Sequence, residues 1–214
     1  MNIEVKDLTF AYPNGFRLGG IGFAVESGEA VAVTGRNGSG KTTLGKLLCG
    51  LLKPESGTII FDGENTANWS LGTRGRRIGY LFQEPARQLF ASTPLEDLTF
   101  TQELAGVSPE KARQRAMKMI SRFELEHLAG QSIHTLSRGE QQRLAICGLL
   151  LAKPGALVLD EPTTGLDVRR KEILANVVRE CVEDGISILL ISHDKAFMRA
   201  NAARELKMED LNHA

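Results

Sequence analysis

Cysteine is scarce: Cys49, Cys147 and Cys181 are the three among 214 residues, far apart and without a C-x-x-C pair. That scarcity excludes a disulfide scaffold and a cysteine-built zinc site, and it predicts a reducing, cytoplasmic setting. An excess of one charge is also lacking, since 26 Lys and Arg offset 26 Asp and Glu. No overall field draws the chain to nucleic acid or to an anionic lipid surface, so no nucleic-acid partner is expected. Long hydrophobic runs are missing too: the longest, Leu144 to Ala152, is far too short to cross a bilayer. The opening Met1-Asn2-Ile3-Glu4 has no basic region followed by an apolar stretch, which argues against a secretory signal. What is present is ordinary globular material, 42% apolar and 24% charged with 22 glycines and 7 prolines. The length is that of one domain with room for an insertion.

Three short runs are apolar on both alternating faces: Ala30–Val33, Ala156–Leu159 and Ile186–Ile191. They predict buried parallel strands. Helical spacing follows the first, with Leu44, Leu47, Leu48 and Leu51, and the second, with Ile173, Leu174, Val177, Val178 and Cys181. Strand alternating with helix predicts an α/β fold with a parallel-sheet core. Residues 3 to 27 and 57 to 63 are rich in β-formers and turn residues, which predicts an antiparallel sheet beside it. Between about 85 and 152 the pattern is helical, with Ala112, Ala116, Met119, Ile120 and Phe123 in register and Pro94 and Pro109 where helices start.

Gly35-Arg36-Asn37-Gly38-Ser39-Gly40-Lys41-Thr42 satisfies G-x-x-x-x-G-K-[ST] between a strand and a helix, the context this phosphate-binding loop requires. Its glycines let backbone N–H groups turn toward phosphate oxygens, and the helix N-terminus, with Thr43 in its first turn, adds a positive end. Lys41 brings a full charge to the β/γ-phosphates, and Thr42 is a ligand for Mg²⁺. A hard cation there calls for a carboxylate from a neighbouring strand end. Leu159-Asp160-Glu161 supplies one: Asp160 holds the ion through water, and Glu161 is the candidate general base for the attacking water.

Between these motifs lies Leu136-Ser137-Arg138-Gly139-Glu140-Gln141-Gln142-Arg143, which resembles the signature motif of ABC ATPases. Tyr12 stands at the aromatic A-loop position, Gln83 in the Q-loop, Gly165-Leu166-Asp167 in the D-loop and His193 at the switch-histidine position. The resemblance implies one P-loop NTPase domain of the ABC ATPase fold over 1–214. Its RecA-like core and antiparallel β subdomain would take about 1–84 and 153–214, and its helical subdomain about 85–152. ATP and Mg²⁺ are implied, with Tyr12 stacking on adenine and Gln83 joining Thr42 and Asp160 at the metal. His193 and Gln83 would join Glu161 and Lys41 as catalytic residues. Ser137 and Gly139 would meet the ATP of a second ATPase subunit, a homodimer or a paralogous heterodimer.

A narrower resemblance rests on Phe82-Gln83-Glu84-Pro85-Ala86-Arg87-Gln88-Leu89-Phe90-Ala91 and on Leu95-Glu96-Asp97-Leu98. This segment is similar to that of the ATPase component of energy-coupling-factor importers of vitamins, cobalt or nickel. It implies a transmembrane coupling protein, a substrate-binding membrane protein, and residence on the cytoplasmic face of the membrane through those partners. Glu84, Glu96 and Asp97 are then expected as counter-charges for the coupling protein. Arg138 and Glu140 depart from the family's usual Gly and Gln. Ser137-x-x-Glu140 reads as a capping box, with Arg138 expected to offset the Glu140 charge toward the partner's nucleotide. The chain also stops soon after His193, so the C-terminal dimerisation extension of some relatives is not expected.

Another ABC transporter ATPase, a soluble ABC ATPase and a P-loop small-molecule kinase are the competing readings; the last leaves Ser137, Gly139 and His193 unexplained. His127, His134 and His213 are read as ordinary surface or hydrogen-bonded side chains. Arg74, Arg76 and Arg77 are read as a solvated basic face, and Trp69 as an exposed loop residue without a role.

Overall fold

The computed structural model describes residues 1–13 and 15–212; His213 lies outside them. The chain begins with β1 (Ile3–Ala11) and β2 (Arg17–Val25), then β3 (Ala30–Thr34) and α1 (Lys41–Leu48). β4 (Ser56–Phe61), β5 (Glu64–Asn65), α2 (Leu71–Arg77) and β6 (Ile78–Leu81) follow. Three helices come next, α3 (Pro94–Leu104), α4 (Pro109–Arg122) and α5 (Arg138–Leu151). The chain then returns through β7 (Ala156–Asp160), α6 (Val168–Glu183), β8 (Ser187–Ile191), α7 (Lys195–Asn201), β9 (Arg204–Lys207) and α8 (Met208–Leu211).

Two sheets result, an antiparallel one in the order β2-β1-β4-β5 and a parallel one in the order β6-β7-β8-β3-β9. The two-residue alternation of the parallel strands divides the interior into two cores. Leu157, Leu159, Ile188 and Leu190 face the helices α3 to α6. Ala156, Val158, Leu189, Ile191, Val31 and Val33 face α1 and the antiparallel sheet. Every residue of β7 and β8 is buried, which is why both strands read as continuous apolar runs.

The helical stretch is built from strong start signals. α3 opens on a capping box between Thr93 and Glu96 with Pro94 at its first position, and Pro109 opens α4. Ala112, Ala116 and Ile120 form the buried stripe of α4, and the buried Arg143 of α5 donates to the carbonyls of Phe123 and Glu124 just beyond it.

Several expectations need correction. α1 ends at Leu48, and Leu51, expected on its apolar face, is 46% exposed beyond Gly50. β6 and β9, four residues each, were not expected; they are too short to show a period. Arg74 is not on a solvated face: it is buried and donates to the carbonyls of Leu48 (3.2 Å) and Thr66 (2.7 Å). Trp69 is half-buried, stacked on Phe61 with centroids 5.8 Å apart, and Arg77 lies over its ring at 4.7 Å. Asp97 is buried as well, accepting the N–H groups of Phe90 (2.9 Å) and Ala91 (3.0 Å). It shapes the loop after Gln83 and offers no charge to a partner.

Candidate nucleotide site

The C-terminal ends of β3, β6, β7 and β8 point the same way, and the segments leaving them surround a cleft of about 530 Å³. Open parallel sheets place ligands at this edge, where loops are free of the ladder. Asn37, Gly38, Gly40, Lys41, Thr42 and Thr43 line the cleft from the loop after β3 and the start of α1. Gln83 enters from the end of β6, Asp160 and Glu161 from β7, and His193 from β8, while Tyr12 closes the cleft from β1. Gly35 lines an adjoining cleft of about 650 Å³ beside α7 and β9, which shares Asn37 and His193 with the first but has neither the acidic pair nor an aromatic wall.

The loop is shaped by its glycines. Gly40 has φ +98°, and a Cβ there would lie 2.6 Å from Leu18 Cδ2 and 2.9 Å from Phe16 Cζ, so only glycine fits. Gly38 has φ +79° and open space around it. Lys41 is 7% exposed and donates to the carbonyls of Gly35 (2.9 Å) and Arg36 (3.0 Å), closing the loop on itself. Within that loop Ser39 Oγ is buried without a hydrogen-bond partner. An orphaned hydroxyl costs about 1–3 kcal/mol, and phosphate oxygens would satisfy it.

Asp160 is 1% exposed, and its carboxylate accepts hydrogen bonds from Tyr80 (3.1 Å) and from Thr42. Burial raises its pKa above the usual aspartate range against the opposing pull of those donors. Burial, with the Asp160 charge adding to it, also pushes the Tyr80 phenol far above its usual range, so Tyr80 remains a donor. Among the described residues no cluster of three or more His, Cys, Asp or Glu could hold a metal. A buried carboxylate bonded to a threonine hydroxyl nevertheless suits Mg²⁺, which prefers few protein oxygens and keeps water for the rest.

Glu161 is the other half of the pair. Its backbone has φ +53°, a conformation that costs a non-glycine residue on the order of 1–2 kcal/mol. Its N–H donates to the Ile191 carbonyl at 2.7 Å, and its own carbonyl accepts from Thr164 N–H (3.2 Å) and Gln142 Nε2 (3.2 Å). The carboxylate accepts from Ser192 Oγ (3.1 Å) and from the His193 N–H (3.3 Å). His193 Nε2 stands 3.5 Å from Glu161 Oε1, on a side chain 62% exposed toward the cleft.

Ser137 and Gly139 are not in this cleft. They lie at the N-terminus of α5, where Ser137 and Glu140 complete the expected capping box. One Glu140 oxygen accepts both the Ser137 N–H and the Ser137 hydroxyl at 2.7 Å, and these bonds hold its pKa below the usual range. Gly139 packs on Gly165, whose carbonyl oxygen would lie 2.4 Å from any Cβ at 139. The Arg138 guanidinium donates to the Gln83 carbonyl of its own chain at 3.3 Å.

Four further residues belong to the site. Phe16 lines the cleft with Tyr12, ring centroids 6.2 Å apart, and its place four residues after Tyr12 was a usable signal. Tyr80, Ser192 and Gln142 act through contacts 80, 31 and 19 residues distant in sequence, which no local pattern announces.

Residues 18–164 match the family model described as ABC transporter. An ABC transporter ATP-binding protein of Pyrococcus abyssi is 41% identical over 97% of this chain and 80% of its own length. The energy-coupling factor transporter ATP-binding protein EcfA of Methanothermobacter thermautotrophicus is 38% identical over 94% of this chain and 66% of its own. The chain spans 37% of the length of a relative from Caldanaerobacter subterraneus, itself 35% identical. Among solved structures, an ATP-binding cassette captured as a dimer in its post-hydrolysis state with ADP and Pi superposes with TM-score 0.87 at 27% identity, covering 96% of this chain and 93% of that one. Clostridium perfringens cbiO1, part of the ABC transporter complex cbiONQ, gives TM-score 0.81 at 32% identity, covering 96% and 83%.

Proposed function

This chain belongs to the ABC transporter ATP-binding family, and from that premise we propose that it is the ATP-hydrolysing subunit of an energy-coupling-factor importer. The carrying observation is the division of the site. One cleft gathers Tyr12, Asn37, Gly38, residues 40–43, Gln83, Asp160, Glu161 and His193, while Ser137 and Gly139 are presented on the surface outside it. A nucleotide held in the cleft has the N-terminus of α1 at its phosphates but not that of α5, which another chain would bring. The reading is a head-to-tail dimer, homomeric or of paralogues, with two nucleotides sandwiched; the neighbour solved as a dimer with ADP and Pi supports it.

In this reading Tyr12 and Phe16 stack on the adenine, and the loop N–H groups with Lys41 hold the phosphates. Thr42, Gln83 and Asp160 would hold Mg²⁺, which when bound neutralises charge on the β- and γ-phosphates. Glu161 accepts a proton from the attacking water, whose oxygen bonds to the γ-phosphorus as the bond to the ADP oxygen breaks. His193, hydrogen-bonded by backbone to the same carboxylate, faces the γ-phosphate and registers its departure.

The import reading rests on the EcfA and cbiO1 relatives and on a surface formed by the chain that follows Gln83. Phe90 and Phe100 pack edge to face at 5.2 Å yet are 58% and 47% exposed, and Leu104 on the same helix as Phe100 is 73% exposed. Such an apolar patch is suited to a membrane partner; of the expected acidic counter-charges Glu84 and Glu96 are exposed and stay in the proposed docking surface, while the buried Asp97 is withdrawn from it. No helix among the described residues is long and apolar enough to cross a membrane, so the partner supplies the membrane span.

Glu161→Gln keeps size and hydrogen bonding but removes the base. Turnover of the purified complex should fall about 10²-fold or more while ATP affinity by calorimetry is kept. Wild-type turnover in that variant, or failure of the tagged chain to co-purify with a multi-spanning membrane protein, would overturn the respective half of the proposal.

A further inference from the structure

Gln142 lies on α5, five residues after Ser137, and is fully buried at 0% exposure. Its Nε2 donates to the carbonyl of Glu161 at 3.2 Å, and its Oε1 has no hydrogen-bond partner. A buried amide with one half unsatisfied is a net cost to the fold that a methionine or leucine of similar volume would avoid. Its single bond goes to the one residue of the acidic pair with a left-handed backbone, φ +53°.

We propose that Gln142 is a positioning residue for the general base: it holds the Glu161 peptide in its unfavourable conformation and thereby aims the carboxylate. The geometry leaves it a defined share of that task. Glu161 is gripped at its N–H by Ile191 in β8 and at its side chain by Ser192 and His193, all on one flank. On the carbonyl side the Thr164 N–H is a local turn bond, and Gln142 is the anchor from a different element. Strained backbone persists where its surroundings over-determine it, and without Gln142 one determinant is gone.

A consequence concerns the signature turn. Ser137, Gly139 and Gln142 occupy the first turns of one helix, so a shift of α5 moves the signature residues and the Glu161 anchor together. Arg138, at the first position of α5, bonds to the Gln83 carbonyl of the same chain. α5 therefore connects the surface that meets the partner's nucleotide to two residues of its own cleft.

The inference rests on Glu161 being the base, and the test separates the two. Steady-state ATP hydrolysis by the full chain is measured for Gln142→Met, for Gln142→Glu, which keeps the volume but loses the amide donor, for Glu161→Gln, and for each Gln142 variant combined with Glu161→Gln. A positioning role predicts that kcat falls about tenfold in the Gln142 variants with KM for ATP little changed, and that no further loss appears in the Glu161→Gln background. Unchanged kcat in the Gln142 variants while Glu161→Gln is inactive would overturn the inference alone. So would an equal additional loss in the Glu161→Gln background, which marks a general packing role. Wild-type turnover in Glu161→Gln itself would overturn both readings.

Discussion

The two halves of the cleft are held in shape by opposite means. The loop from Gly35 to Thr42 is shaped from within: its positive-φ glycines, the Lys41 bonds to Gly35 and Arg36, and the start of the helix that follows all fall within eight consecutive residues. The corner at Asp160 and Glu161 is shaped from outside, by Tyr80, Ile191, Ser192, His193 and Gln142, each at least 18 residues from it in sequence. The loop uses glycine to avoid strain, whereas the corner places a glutamate where glycine would be at ease and holds it there by tertiary contacts. A local device tolerates changes elsewhere in the fold; a device assembled from three strands and a helix registers them.

Substitutions can separate the two mechanisms. The largest stability effect is expected at Gly40, where an alanine needs φ +98° and meets Leu18 and Phe16 at sub-contact distance. Gly40→Ala should lower unfolding free energy by about 2–3 kcal/mol in denaturant titration and weaken ATP binding with it. A smaller effect of opposite sign is expected at Asp160. Its folded-state pKa is raised by burial, so the folded form binds the proton more tightly than the unfolded form, and stability rises as pH falls through that raised pKa. At neutral pH the buried charge is a cost. Asp160→Asn should then stabilise the nucleotide-free protein by roughly 1 kcal/mol while abolishing hydrolysis, and the gain should shrink as pH is lowered toward the usual aspartate range. The thermal midpoint from pH 7 to pH 5 measures this; a loss of stability at pH 7 would show that the corner gains from the charge. The smallest effect is expected at Gly38, where φ is +79° but nothing lies within 4 Å of a Cβ. Gly38→Ala should cost about 1 kcal/mol or less in stability, and a larger loss would mean the loop is less self-contained than its glycines indicate.

The same contrast explains what could be read before the fold was known. The phosphate loop, the capping box of α5 and the proline starts of α3 and α4 are short-range devices whose residue types state their purpose, and each lies where expected. Asp160 and Glu161 were legible because a strand end is marked by its apolar run. Charged and aromatic residues outside such motifs were read by their polarity and were misplaced. Arg74 looked solvated but is buried on two carbonyls, and Trp69 looked exposed but packs between Phe61 and Arg77. Asp97 looked like a docking charge but folds the loop above it. In each case the partner is a backbone group or a ring brought close by the chain path, and composition gives no sign of it.

By itself, then, the sequence determined the α/β architecture, the phosphate loop with Lys41 and Thr42, and the acidic pair at a strand end, because periodicity, turn chemistry and motif spacing act over a few residues. The tertiary structure decided which side chains complete the site. It set Phe16 against Tyr12, gave Asp160 its Tyr80 donor, turned Arg138 toward Gln83 and set Gln142 under Glu161. Apart from Phe16 and Tyr12, which flank the connection between β1 and β2, those pairings join residues that meet only when strands from distant parts of the chain align in one parallel sheet and α5 packs beside it. Hydrogen bonds and ring contacts form at 3 to 6 Å whatever the separation along the chain, so the information that fixes them lies in the packing of the whole domain.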